Sequence, residues 1–186
     1  MPDNEFGYTG WGMDWVRLAE PLKQTKPEPL LPRARSIARN NGVRILVEGN
    51  HVQANIHRGS EASVTYLEVT PLDGPTIRAL EQVVPATALT LTDEHRAAVA
   101  ALGIALTPRL ARIDCSCRAR NDRCLHFFAT CYALARQVDE TPWLALDLQG
   151  YRNAAPGAAA DENLPPARWT PINTLDPKTF FESVST

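Results

Sequence analysis

Cys115-Ser-Cys117-Arg-Ala-Arg-Asn-Asp-Arg-Cys124-Leu-His126 puts three thiols and an imidazole within twelve residues. Read as Cys-x-Cys, six residues, Cys-x-His, it points to a bound zinc ion. Zinc takes four sulfur or nitrogen donors in a tetrahedron, and a site filled by four protein ligands has no position left for a substrate. Residues i and i+2 of an extended strand point the same way, so Cys115 and Cys117 can grip one ion from a strand end or knuckle. In a helix the same spacing diverges by about 200°. Cys124 and His126 therefore belong at the start of a helix, with Leu125 turned into the core. Asn121-Asp122 supplies the turn between the two halves. The expectation is one structural Zn2+ on Cys115, Cys117, Cys124 and His126.

The helix that follows carries an apolar stripe through Leu125, Phe128, Cys131 or Tyr132, Ala135 and Val138, and Asp139-Glu140-Thr141-Pro142 closes it. Cys131 lies in that stripe and reads as a packed core residue, not a ligand. Upstream, Val43, Ile45 and Val47 alternate with Arg44, Leu46 and Glu48, and Val52, Ala54 and Ile56 alternate with Gln53, Asn55 and His57. Gly49-Asn50 and Gly59-Ser60 are hairpin turns. The third strand, Ala62 to Thr70, lacks clean alternation and is expected to be more fully buried or bulged. A three-stranded antiparallel meander results. Trp11, Trp15 and Leu18 mark one face of a short N-terminal helix. Thr76 to Val84 reads as a helix, and Thr92 caps another that runs to about Leu102, with Asp93 and Glu94 in its first turn. The fold class is α+β: an N-terminal helix, the meander, a helical middle and a ββα-type finger.

A chain of 186 residues with 44% hydrophobic content suits one domain, placed at 1–150 with the finger at about 110–140. Residues 151–186 are rich in Ala, Pro and Asn and read as an arm, ending in a short helix from Asp176-Pro177 that contains Phe180 and Phe181. The first residues show no basic region followed by an apolar run, so the thiols are expected to stay reduced in the cytoplasm. No apolar run is long enough to span a membrane. Net charge is −2, which is not the footprint of a protein that coats nucleic acid. Residues 106–126 nevertheless hold Arg109, Arg112, Arg118, Arg120 and Arg123 against only Asp114 and Asp122.

The ligand pattern followed by a helix resembles the SWIM zinc finger. Trp11 to Trp15, Leu31-Pro-Arg-Ala-Arg-Ser-Ile-Ala-Arg39, the meander, Pro71-Leu-Asp73 and the block from Asp114 to Tyr132 resemble, in that order, small bacterial SWIM zinc finger proteins, chiefly actinobacterial. The aromatic residue often found before the second ligand pair in that family is absent. The resemblance implies a zinc-dependent module that binds DNA or proteins, commonly linked to Snf-type helicase ATPases. Two functions are therefore expected. One is a protein adaptor within a DNA-processing machine, with the finger and the Phe-containing tail as docking elements. The other is a nucleic-acid binder that neutralises phosphates with Arg109, Arg112, Arg118, Arg120 and Arg123, aided by Arg33, Arg35 and Arg39. An enzyme is not expected, for there is no Gly-rich phosphate loop and no nucleophile elbow. A catalytic Cys-His pair would leave the other thiols unexplained. No small-molecule substrate is implied. The location is cytoplasmic, with nucleoid association in keeping with a DNA-linked partner.

Overall fold

The alternating segments pair as the meander requires, with β1 at Val43–Glu48, β2 at His51–Arg58 and β3 at Glu61–Val69, all antiparallel. Gly49 and Gly59 each take φ of +59°, the left-handed conformation these tight turns need. The computed structural model describes residues 5–23, 26–119 and 121–154.

The sheet has four strands, not three. Leu110–Cys115 forms β4, antiparallel to β3, and the order is β1-β2-β3-β4. A strand end at Cys115 was expected, and the register explains why the strand's extent and its place beside β3 were not. Leu67 pairs with Ile113 and Thr65 with Cys115, but Val69 pairs with Leu110, so Ala111 is an extra residue in a bulge. The bulge lets Leu110 and Ile113, three apart, both face inward. β3 itself alternates after all. Thr65, Leu67 and Val69 are buried while Tyr66 is exposed. A polar residue facing in and an aromatic facing out concealed the period of two.

One face of the sheet is covered by α5, Leu125–Glu140, which packs against all four strands. Helices α1 (Gly10–Val16) and α2 (Leu31–Arg39) pack against α5 in turn. Because it is enclosed, α5 buries Phe127, Phe128, Ala129, Thr130, Cys131, Tyr132, Ala133, Leu134 and Ala135 in succession. That is more than the single stripe its sequence suggests. α2 is absent from the sequence reading. It has no side-chain cap and buries only Ala34, Ile37 and Ala38, so its apolar signal is weak.

Thr9 caps α1, accepting from the Gly12 backbone N–H at 2.9 Å, and Trp11 and Trp15 are buried as expected. α5 closes at Glu140 as expected, and Asp139 in its last turn is buried. Its carboxylate accepts from the N–H groups of Gly7 at 2.7 Å, Tyr8 at 3.3 Å and Thr9 at 2.9 Å, and from the Thr9 hydroxyl at 2.7 Å. The first turn of the chain is thus anchored to the end of its central helix.

Helix α3 spans Gly74–Glu81, earlier than expected, because Asp73 caps it by accepting from the Thr76 N–H at 2.8 Å. Helix α4, Asp93–Ala101, has the expected Thr92 cap. Two short helices, α6 (Leu144–Asp147) and α7 (Tyr151–Ala154), complete the described chain. Tyr151 is fully buried, stacks on Trp143 with centroids 6.3 Å apart, and donates its hydroxyl to the Val84 carbonyl. The packing therefore continues past 150, where Arg152 also pairs with Asp147 and lies over the Trp143 ring. The rest of the expected arm, with Phe180 and Phe181, lies outside the described residues. Among the described residues no helix is long and apolar enough to cross a membrane.

Candidate metal centre

β4 delivers Cys115 as its last residue, on the inward side of the sheet. The chain is then pinned to β3 by two hydrogen bonds. The Ser116 N–H donates to the Val64 carbonyl and the Val64 N–H to the Ser116 hydroxyl, both at 2.9 Å. This knuckle presents Cys117. On the opposite side Cys124 is the N-cap of α5, and its sulfur accepts from the Phe127 N–H at 3.4 Å. His126 is the second residue of that helix, and its Nδ1 lies 3.8 Å from Cys115 Sγ.

One donor atom from each of Cys115, Cys117, Cys124 and His126 lies within 4.8 Å of all the others. A tetrahedral ion with bonds of about 2.3 Å to sulfur and about 2.0 Å to nitrogen needs donor atoms about 3.5–3.8 Å apart. The separations in the cluster reach at most about 1 Å beyond that span, so a small contraction would close it on an ion. These four residues can hold one metal ion. Two sequence expectations are met here, the strand-end knuckle for the first pair and the helix start for the second. Cys131 is fully buried in the core, and burial pushes its thiol well above the usual range.

The surroundings distinguish the ligands. Burial pushes the Cys124 thiol up to about 12, so in the absence of a cation it stays protonated. Burial also raises Cys115, but hydrogen bonds from Thr65, the Cys117 backbone and the neighbouring thiols outweigh it and bring the thiol below its ordinary value. Burial, and then the positive charge of Arg58, lower His126 and favour the neutral ring that a metal requires. Thr65 is fully buried, and its hydroxyl lies 3.4 Å from Cys115 Sγ.

No protein-family model, curated protein or solved structure matches the chain. The centre is defined by its own geometry.

The arginines proposed for phosphate contact scatter. Arg118 is exposed on the loop between the ligand pairs. Arg123 is turned back on the protein, donating to the Leu18 carbonyl at 2.9 Å with its guanidinium over the rings of Phe127 and Phe128 at 5.6 and 5.5 Å. Arg112 pairs with Asp114 at 3.0 Å on the outer face of the sheet. Arg109 precedes the far end of β4, about 20 Å of strand from Cys115. Arg120 lies outside the described residues. Of the helper set, Arg35 binds Glu20 at 2.5 Å and Arg39 binds Glu5, whereas Arg33 lies close enough to act on His126.

Three contributors were missed by sequence reasoning: Thr65, Ser116 and Arg58. Thr65 and Ser116 depend on the β3–β4 pairing, which the bulge hides. Arg58 is the last residue of β2 and carries no motif signal.

Proposed function

We propose that the cluster holds one structural Zn2+ and that the chain is an interaction module, a protein adaptor within a larger DNA-processing assembly. The observation that carries this reading is the closed donor set: three sulfurs and one ring nitrogen within 4.8 Å of one another, at the junction of β4 and α5. A three-thiolate, one-imidazole set suits zinc, and four protein donors leave no coordination position for substrate. The ion supplies folding free energy there, and the residues that hold it tie the last strand to the central helix.

The adaptor reading is favoured over nucleic-acid binding by the fate of the basic side chains. Arg35, Arg39 and Arg112 are paired with carboxylates, and Arg123 is spent on a backbone carbonyl. The open face of the sheet carries Leu46 and Tyr66, each about half exposed, among Arg44, Glu48, Glu68, Arg112 and Asp114. Mixed charge around apolar side chains suits a protein surface better than a polyanion. The resemblance to small bacterial SWIM finger proteins extends this reading to a Snf-type helicase ATPase as the class of partner. The test is affinity capture from the native cell with zinc-loaded protein, compared with protein stripped by a chelator. Stoichiometric, metal-dependent recovery of an ATPase supports the adaptor. Its absence from both samples overturns the assignment.

A second reading, binding of nucleic acid beside the metal, is favoured by one observation. Arg33 and Arg58 from two separate elements act on His126, and Arg118 is exposed on the adjacent loop. Titration with duplex and single-stranded DNA over a range of salt decides it, since phosphate contacts impose a steep salt dependence. No binding at low salt removes this reading.

A further inference from the structure

We propose that Cys117 is an oxidation site: a hydroperoxide converts it to a sulfenic acid, which Cys124 closes into a disulfide that dismantles the metal centre. This rests on the zinc reading above. It adds a modification chemistry that a structural site does not require.

The three sulfurs of the cluster are not equivalent. Cys115 is held in the β3–β4 ladder opposite Thr65 and accepts that residue's hydroxyl. Cys124 is buried, 4% exposed, and accepts the Phe127 N–H at the start of α5. Cys117 is partly exposed, stands just outside the ladder, and among the described residues receives no hydrogen bond from outside the cluster. With zinc bound every sulfur of the set is a thiolate, so hydrogen bonding and access discriminate among them: a hydrogen bond draws charge off the sulfur, and burial excludes the oxidant. Cys115 and Cys117 are both partly exposed, so burial separates Cys117 from Cys124 alone, and the Thr65 hydrogen bond separates it from Cys115.

The same asymmetry selects the partner thiol. Cys115 is fixed by strand pairing, and only one residue separates it from Cys117. Six residues, 118–123, separate Cys117 from Cys124, and Arg118, Ala119, Asn121, Asp122 and Arg123 in that loop are exposed. That segment can adjust to the geometry a disulfide demands. Cys131 is fully buried and takes no part.

In the first step the Cys117 thiolate attacks the peroxide. A sulfur–oxygen bond forms, the oxygen–oxygen bond breaks, and the departing alkoxide or hydroxide takes a proton. Cys124 thiolate then attacks the sulfenic sulfur. A sulfur–sulfur bond forms, hydroxide leaves and is protonated to water. The two thiolates lose two electrons in all, and the hydroperoxide gains them. Two of four ligands are lost, so affinity for the ion collapses.

The experiment treats the zinc-loaded full chain with hydrogen peroxide in the presence of a chromogenic chelator, with dimedone in a parallel sample to trap sulfenic acid. Mass spectrometry maps the products. The expected result is one zinc released per disulfide, a Cys117–Cys124 link, and a dimedone adduct on Cys117. Cys131→Ser should leave this pattern unchanged, and Thr65→Val should add adducts at Cys115 by removing its hydrogen bond. Zinc retained at full peroxide exposure, a first adduct on Cys115 or Cys124 in the unaltered chain, or a disulfide through Cys131 overturns the inference. Purified protein that holds no zinc before peroxide is added overturns the underlying metal assignment as well, so the two failures are distinguishable.

Discussion

Thr65 stands directly across the β3–β4 ladder from Cys115, and its fully buried hydroxyl meets that sulfur at 3.4 Å. A buried hydroxyl in a sheet core is costly unless it is hydrogen-bonded, and here its partner is one of the four candidate metal ligands. Groups that support a ligand in this way typically tune metal affinity by one to two orders of magnitude. Thr65→Val keeps the shape and removes the donor. The expected outcome is zinc binding weaker by about 10- to 100-fold with secondary structure unchanged, measured by competition with a chelator of known affinity. Unchanged affinity would make Thr65 a packing residue only.

The two kinds of cysteine should separate cleanly. Cys117→Ser removes a ligand and should abolish stoichiometric zinc, with loss of stability on the order of the metal's folding contribution, about 10 kcal/mol in apparent terms for small structural sites. Cys131→Ala removes only a buried sulfur from the core of α5 and should cost about 1–2 kcal/mol while retaining one zinc. Metal analysis and thermal unfolding on the same preparations check both. A Cys131 variant that loses its metal would contradict the ligand set.

The candidate metal centre was legible because its four donor residues lie close together in the sequence. Strand and helix periodicity fix where a Cys-x-Cys and a Cys-x-His can lie, and the structure places both there. What escaped is what depends on distant pairing. The strand end at Cys115 was expected, but the extent of β4 and its pairing with β3 were not, because Ala111 breaks the spacing of Leu110 and Ile113, and the contact of Thr65 with Cys115 follows only from that pairing. α2 shows only small or isolated apolar residues among three arginines and a serine. The role of Asp139 depends on backbone N–H groups 130 or more positions away, which no local pattern encodes.

Asp139 and Gly12 form a second test, remote from the metal by about 20 Å along α5. The carboxylate receives three backbone N–H groups and one hydroxyl, and a Cβ on Gly12 would stand 2.0 Å from its Oδ1. Asp139→Ala leaves the buried Gly7 N–H and the part-buried Thr9 donors without their acceptor and should cost about 3 kcal/mol. Gly12→Ala forces the clasp apart, at about 1–3 kcal/mol. Zinc affinity should stay within about twofold of the unaltered chain in both variants, since neither touches a ligand or its hydrogen bonds. Chemical denaturation alongside chelator competition reads the two quantities separately. A large loss of zinc affinity would mean that the anchor at one end of α5 governs the cluster at the other.

Arg118 and Arg123 share the ligand loop but not a role, and the difference separates the two functional readings. Arg123 donates to the Leu18 carbonyl at 2.9 Å and lies over two phenyl rings of α5, so its guanidinium already has partners within the fold. Arg123→Met keeps most of the aliphatic stem and removes those contacts. It should lower stability by about 1 kcal/mol. Arg118 is exposed, and Arg118→Met should leave stability within about 0.5 kcal/mol. If the loop contacts DNA, Arg118→Met should weaken binding and reduce the salt slope by about one. If the chain is an adaptor that does not use DNA, there is no such slope to reduce, and the only measurable consequence of either substitution is the stability difference between them. Salt-dependent binding isotherms and unfolding curves on the same two variants therefore decide whether this loop serves a phosphate backbone or only the fold.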